Sequence, residues 1–160
     1  MTVAFAGWMK MNDKVFNTEF EISMRLLLLL SLFKKRKLTF DNLVTADFIS
    51  IYSKEFGLSY SNLHGENEFS FSEFSARRAL SQKAIKQLVL EDMIKVSYSN
   101  DGFLYSITER GRALSSSLTS DYSTEYKLYA QEAIVYMDSK NEKELLNLIS
   151  QEASKSLRKE

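Results

Sequence analysis

A mainly α-helical fold bearing one β-hairpin is predicted by three features of the sequence. Proline is absent and only 5 glycines occur in 160 residues, so little interrupts a helix. Hydrophobic residues make up 44% and charged residues 26%, which permits a real core and argues against compositional disorder. Late in the chain, two alternating runs, Ile94-Val96-Tyr98 and Phe103-Tyr105-Ile107, flank the turn residues Ser99 to Gly102. Alternation on both sides of an Asp-Gly turn is the pattern of a hairpin.

The elements follow in chain order. Residues 1–17 show no clear period and are read as an N-terminal segment, a candidate for mobility. From Glu19 the pattern turns helical, with Glu21 and Arg25 four apart on one face. Leu26 to Leu30 point all round the axis, which predicts a central, buried helix. Lys34, Lys35, Arg36 and Lys37 come next, suited either to the helix dipole or to a phosphate. Thr39 to Phe56 reads as a second helix through Leu43, Ala46, Phe48, Ile49 and Tyr52, with Gly57 as its stop. Residues 57–71 read as a loop containing Asn62, Leu63, His64 and Gly65. Ser70 to Met93 is helical again, with a break expected near Ser81. Its second part carries an apolar stripe of Ile85, Leu88, Val89 and Met93, while Arg78, Gln82 and Lys86 share another face with Lys83 beside them. After the hairpin, Thr108 is placed as the N-cap of a helix through Arg112, Leu114 and Leu118. Two further helices are expected. One carries Tyr122, Tyr126, Tyr129, Ala133 and Met137; the other opens on the capping pair Asn141 and Glu144 and carries Leu145, Leu146, Ile149, Ala153 and Leu157.

Three helices, a hairpin and a helix give the order of a winged helix. The predicted organisation is residues 1–17 as the N-terminal segment, 18–118 as a winged-helix domain and 119–160 as a C-terminal helical extension. The helix from Ser81 to Met93 takes the recognition position and Ser99 to Gly102 the wing tip. The phrase containing Tyr105, Thr108, Gly111 and Leu114 resembles the wing-to-helix passage of many bacterial winged-helix proteins.

Several chemistries are disfavoured. Without cysteine there are no disulfides and no Cys-based zinc sites. Lys plus Arg and Asp plus Glu are 21 each, so nucleic-acid contact would depend on a local patch rather than a basic excess. His64 is the sole histidine, which argues against the usual histidine triads and against His-pair metal sites. No Gly-x-x-x-x-Gly-Lys-Ser/Thr run occurs, and the carboxylates form no nuclease-like constellation. No catalytic residue, cofactor or metal is expected. Met1 to Met11 lacks the pattern of a secretory signal. The apolar run from Met24 to Phe33 is about half the roughly 20 residues a membrane span needs, so a cytoplasmic protein is expected.

Candidate DNA contacts are Gln82 and Lys86, facing bases, with Arg78 and Lys83 on phosphates. Against that role, Glu91 and Asp92 dilute the end of the helix and Asp101 puts an acid at the wing tip. Candidate partner contacts are His64, Arg77 and the tyrosine stripe of Tyr122, Tyr126 and Tyr129, since tyrosine is enriched at interfaces. Each has a plain alternative: a turn-capping histidine, a buried or surface ion pair, ordinary helix packing. Trp8 could dock on the core or on a partner.

A narrower resemblance rests on several short phrases: Phe16-Asn17-Thr18-Glu19 before the leucine-rich helix, Leu43 to Phe56 leading into Asn62-Leu63-His64-Gly65, the cluster Phe74, Ser75, Arg77 and Arg78, the hairpin, and Ser120-Asp121-Tyr122. Through these, the stretch from Phe16 to about Ile149 resembles the small middle component of bacterial ABC-three-component systems, including the accessory subunit of Lamassu-type anti-phage defence. The resemblance implies a non-catalytic subunit that assembles with an SMC-like ABC ATPase and with a nuclease or other effector. Nucleotide and cleavage sites would belong to those partners. The rival expectation is a stand-alone winged-helix transcriptional regulator, dimeric, with DNA half-sites about 34–36 Å apart.

Overall fold

The computed structural model describes residues 18–33, 36–64, 74–100 and 102–158, with the side chains of Ser75 and of 152–158 left aside. The expectations placed on residues 1–17 including Trp8, on Lys34, Lys35, Gly65 and Asp101, and on the side chains of Ala153 and Leu157 lie outside the described residues.

The order is α1 (Glu19–Ser31), β1 (Leu38–Thr39), α2 (Phe40–Ile51), a 3-10 turn (Ser53–Phe56), α3 (Phe74–Leu90), β2 (Ile94–Ser99), β3 (Gly102–Ile107), α4 (Glu109–Ser117), α5 (Asp121–Asp138) and α6 (Glu142–Arg158). The strands form one antiparallel sheet in the order β1-β3-β2, with Val96 opposite Tyr105 and Tyr98 opposite Phe103. This is a mainly helical, winged-helix arrangement.

Local chemistry sets the boundaries. Side-chain oxygens cap four helices: Thr18 accepts from the Glu21 N–H, Thr39 from Asn42, Thr108 from Gly111 and Ser120 from Ser123. Asn141 caps α6 by accepting from the Glu144 N–H at 2.8 Å, and its amide donates to the Glu144 carboxylate at 2.8 Å. Gly57 ends the second helical stretch at φ 72, in the left-handed region that glycine enters without steric cost. The end of α3 closes in a Schellman pattern: Met93 N–H bonds Leu88 O, Asp92 N–H bonds Val89 O, and Asp92 takes φ 61.

Two boundaries differ from the sequence reading. The second helix is α-helical only to Ile51 and finishes as a 3-10 turn, and Leu38–Thr39 before it pairs with β3. The helix from Phe74 runs unbroken through Ser81 and ends at Leu90, so Met93 lies beyond it. Ser81 is 2% exposed. It shares one buried face with Phe74, Arg77, Ala84, Ile85 and Leu88, and this packing outweighs a weak local propensity.

The core forms around α1. Leu26, Leu27 and Leu29 are fully enclosed, and α1 packs against α2, α3, α4 and α5. Phe48 of α2 meets Tyr52 at 5.3 Å and Phe74 of α3 at 5.0 Å between ring centroids. Tyr126 and Ala130 of α5 and Ile149 of α6 enter the same core, and Ala133 and Leu145 cover Ile49 beside it.

Candidate functional site: an exposed apolar face and a buried ionic cluster

In a winged helix, the third helix and the hairpin form the face that meets a ligand. Gln82, Lys83, Lys86, Gln87 and Leu90 of α3 are exposed. Val96 and Tyr98 of β2 and Phe103 of β3 are also exposed, at 36%, 80% and 57%. Alternation along the strands puts Val96, Tyr98, Phe103 and Tyr105 on one side of the sheet. Between that side and α3 runs a trough of about 530 Å³. Phe40, Ile85, Val89, Leu90, Val96, Phe103 and Tyr105 give it an apolar lining, and Gln82 and Lys86 add a polar margin.

The four candidate DNA contacts therefore have unlike surroundings. Arg78 is held against the Asp41 carboxylate, with its guanidinium 4.8 Å from the centre of the Phe40 ring. Gln82, Lys83 and Lys86 face solvent. In the lysine-rich stretch after α1, Arg36 forms a two-pronged pair with Asp138 at the end of α5, at 2.9 and 3.1 Å. The C-terminal end of α1 receives a cation from elsewhere: Arg112 of α4 donates to Phe33 O at 2.7 Å.

The candidate partner contacts mostly lie in or beside a buried cluster formed by α1, α2 and α5. Arg25 is 1% exposed and donates to both Asp47 oxygens, from Nε at 2.8 Å and from Nη2 at 2.9 Å. Its Nη1 donates to Glu21 at 3.1 Å. Tyr126, fully enclosed, donates its hydroxyl to Asp47 at 2.7 Å. Tyr122 donates to Glu21 at 3.0 Å, and its hydroxyl lies 2.6 Å from His64 Nε2. The two rings stack with centroids 5.8 Å apart. Arg77 donates to the Tyr52 hydroxyl at 2.7 Å and lies over that ring. Thus Tyr126 presents no surface, and the polar ends of His64, Arg77 and Tyr122 engage the chain's own residues. The reason is that α5 lies across α1 and α2 with its tyrosines turned inward. Tyr129 is half-buried on the same helix.

Burial and charge set the protonation states in this cluster. Burial pushes the Asp47 carboxyl up, but the Arg25 charge and the bonds from Arg25 and Tyr126 outweigh it and hold Asp47 below its usual range. Burial raises Glu21, with Arg25 in opposition. Burial and the neighbouring Arg25 charge lower His64 to about 3, so its ring is neutral near pH 7. With Tyr122 donating to Glu21, the neutral ring supplies its own N–H to Tyr122 from Nε2.

A pH dependence follows. His64 titrates near 6.5 in the unfolded chain and near 3 in the fold. Its contribution to stability is complete above the unfolded value and is lost as pH falls between the two. Glu21 is shifted upward, so it acts with the opposite sign: its contribution is complete below 4.5 and fades as pH rises through its folded value. Between pH 7 and 5.5 the His64 effect is expected to remove about 1 kcal/mol, at up to about 1.4 kcal/mol per pH unit. Urea midpoints at the two pH values measure this, and His64→Gln should flatten the difference.

The sequence reading passed over Asp47 and the trough. A signal for Asp47 was present: it is the one acid within the apolar stretch Leu43 to Ile51, as Arg25 is the one cation beside five leucines. Among the described residues, no group of acids and histidines is placed to hold a metal, and no helix is long and apolar enough to cross a membrane.

The fold and its outer face define a winged-helix type of protein with an exposed apolar surface beside its third helix. Residues 15–159 match the family described as ABC-three component (ABC-3C) system Middle Component 2, and the chain belongs to that family. No curated protein and no solved structure matches it.

Proposed function

We propose that this chain is a non-catalytic accessory subunit of an anti-phage defence complex, joining an SMC-like ABC ATPase to a nuclease or other effector. Membership of a middle-component family supports a role among partner components. The observation that carries the reading to a protein-binding role is the apolar recognition face, where Leu90, Val96, Tyr98 and Phe103 stand exposed together. Exposed apolar patches rimmed by polar groups are typical of protein interfaces. The chain supplies a rigid binding surface, and nucleotide turnover and cleavage reside in the partners.

Pull-down of the tagged protein from its host, with partners identified by mass at several salt concentrations, tests this. Recovery of a large ABC-type ATPase that persists at moderate salt is the expected result. Recovery of the chain alone, with salt-sensitive DNA binding, would favour the stand-alone regulator.

A second reading, direct contact with DNA held by the complex, is favoured by the exposure of Gln82, Lys83 and Lys86 on α3. Joint replacement Lys83→Glu and Lys86→Glu is expected to lower the DNA affinity of the assembled complex and reduce its salt slope by about 2. Unchanged affinity would remove DNA contact from this face.

A further inference from the structure

We propose that the trough between α3 and the hairpin receives a short acidic amphipathic helix from a partner protein, a specific form of the protein-binding role above that rests on it. Three observations define the occupant. First, the trough is lined by Ile85, Val89, Val96 and Phe103 and so calls for apolar side chains. A DNA backbone laid there would bring phosphates against hydrocarbon and an aromatic ring, which offer them no hydrogen bond.

Second, the charge at its margin is one-sided. Lys83 and Lys86 are exposed, and neither has an ion pair among the described residues. Arg78, one turn earlier, is already neutralised by Asp41. Glu91 and Asp92 stand at the other end of the helix, where Glu91 accepts from Gln87 at 2.9 Å. A segment with carboxylates along one flank thus finds cations beside the middle of α3 and like charge past its end, which fixes its direction as well as its chemistry.

Third, the α3 lining runs from Gln82 to Leu90. At 1.5 Å per residue that is about 12 Å, the length of roughly two helical turns. Such a segment presents apolar residues at spacings of three and four on one side and acids on the flank.

The test uses the full chain and three labelled probes: a model helical peptide with leucines on one face and glutamates on the flank, the same peptide with lysines for glutamates, and a short DNA duplex. The glutamate peptide is expected to bind saturably and at least tenfold more tightly than the lysine peptide. Joint Lys83→Glu and Lys86→Glu should reverse that preference. Phe103→Ser should weaken the glutamate peptide at least tenfold with the melting temperature unchanged, since Phe103 is already 57% exposed. The same variants should release a partner subunit in the pull-down. Equal binding of both peptides, indifference to the variants, preference for the duplex, or a dimer of this chain that Phe103→Ser dissolves would each overturn the proposal. Retention of every partner by the variants would overturn it while leaving the accessory-subunit role intact; absence of any partner from the wild-type pull-down would defeat that role first.

Discussion

Asp47→Ala is expected to destabilise the fold by about 3–5 kcal/mol, because it leaves a buried cation without its carboxylate. Arg25 is 1% exposed and places two of its three guanidinium nitrogens on Asp47, while its third bonds Glu21 at 3.1 Å. Burial also raises the Glu21 carboxyl, so Glu21 is a poor substitute as sole counter-charge. The Tyr126 hydroxyl would lose its acceptor at the same time. Set against a typical total of about 5–15 kcal/mol, this is enough to unfold much of the population in a marginal domain. Urea denaturation should show a large fall in midpoint with little change in slope. A shift within the about 0.5 kcal/mol of an ordinary surface substitution would mean the ion pair is not held in the folded state.

The cluster is a device for geometry more than for net stability. Joint Arg25→Met and Asp47→Leu should recover part of the loss of Asp47→Ala, since apolar residues of similar volume often replace a buried pair without penalty. Asp47→Asn should fall between them: its amide oxygen still accepts, but the charge is gone. The pair instead specifies how α1, α2 and α5 meet. Arg25 lies on α1, Asp47 on α2 and Tyr126 on α5, and a slip of one turn in any of them would strand a charge. Arg77 of α3 adds to the field at Asp47 while bonding Tyr52 at the end of α2, so the helix that forms one wall of the trough is tied to the same centre.

What the sequence disclosed follows from the range of each interaction. Caps and stops are local, and Thr108, Gly57 and the Asn141–Glu144 pair were readable because their partners lie within a few residues. The hairpin was readable from period and turn chemistry together. The β1 strand was not, since two residues carry no period and their pairing is with Leu104 and Tyr105 far along the chain. The continuity of α3 was obscured because Arg77 and Ser81 occupy its buried face, where a hydrophobic pattern expects apolar residues. The spacing of Tyr122, Tyr126 and Tyr129 correctly placed a helix, but spacing cannot say whether a helix face turns outward or inward. The trough needed α3 and the sheet in register: Ile85 and Val89 read as core stripe, and only the fold shows them opening beside Val96 and Phe103.

A large effect of a different kind is expected at Gly111. In an open helix, alanine for glycine stabilises by about 1 kcal/mol. Gly111 lies inside α4 and is buried, and a Cβ there would collide with the carbonyl oxygen of Met93 and come within 2.8 Å of Ile107 Cγ1. That carbonyl cannot move freely, because it already accepts from the Thr108 N–H at 3.1 Å, and Thr108 in turn donates to Asp92 O at 2.7 Å. Nor can α4 withdraw without cost, since Thr108 caps it through Gly111 N–H and Arg112 reaches from it to Phe33 O. Gly111→Ala is therefore expected to destabilise by about 1–3 kcal/mol, the range for overpacking a closed site, with the opposite sign to helix propensity. Asparagine separates the two glycine roles. At Gly57 nothing lies within 4 Å and only the positive φ matters, so Gly57→Asn should be nearly neutral, whereas Gly111→Asn should be at least as damaging as alanine. Thermal melts of the three variants decide the matter: a stabilised Gly111→Ala would mean that α4 and the end of α3 are not in contact at this point.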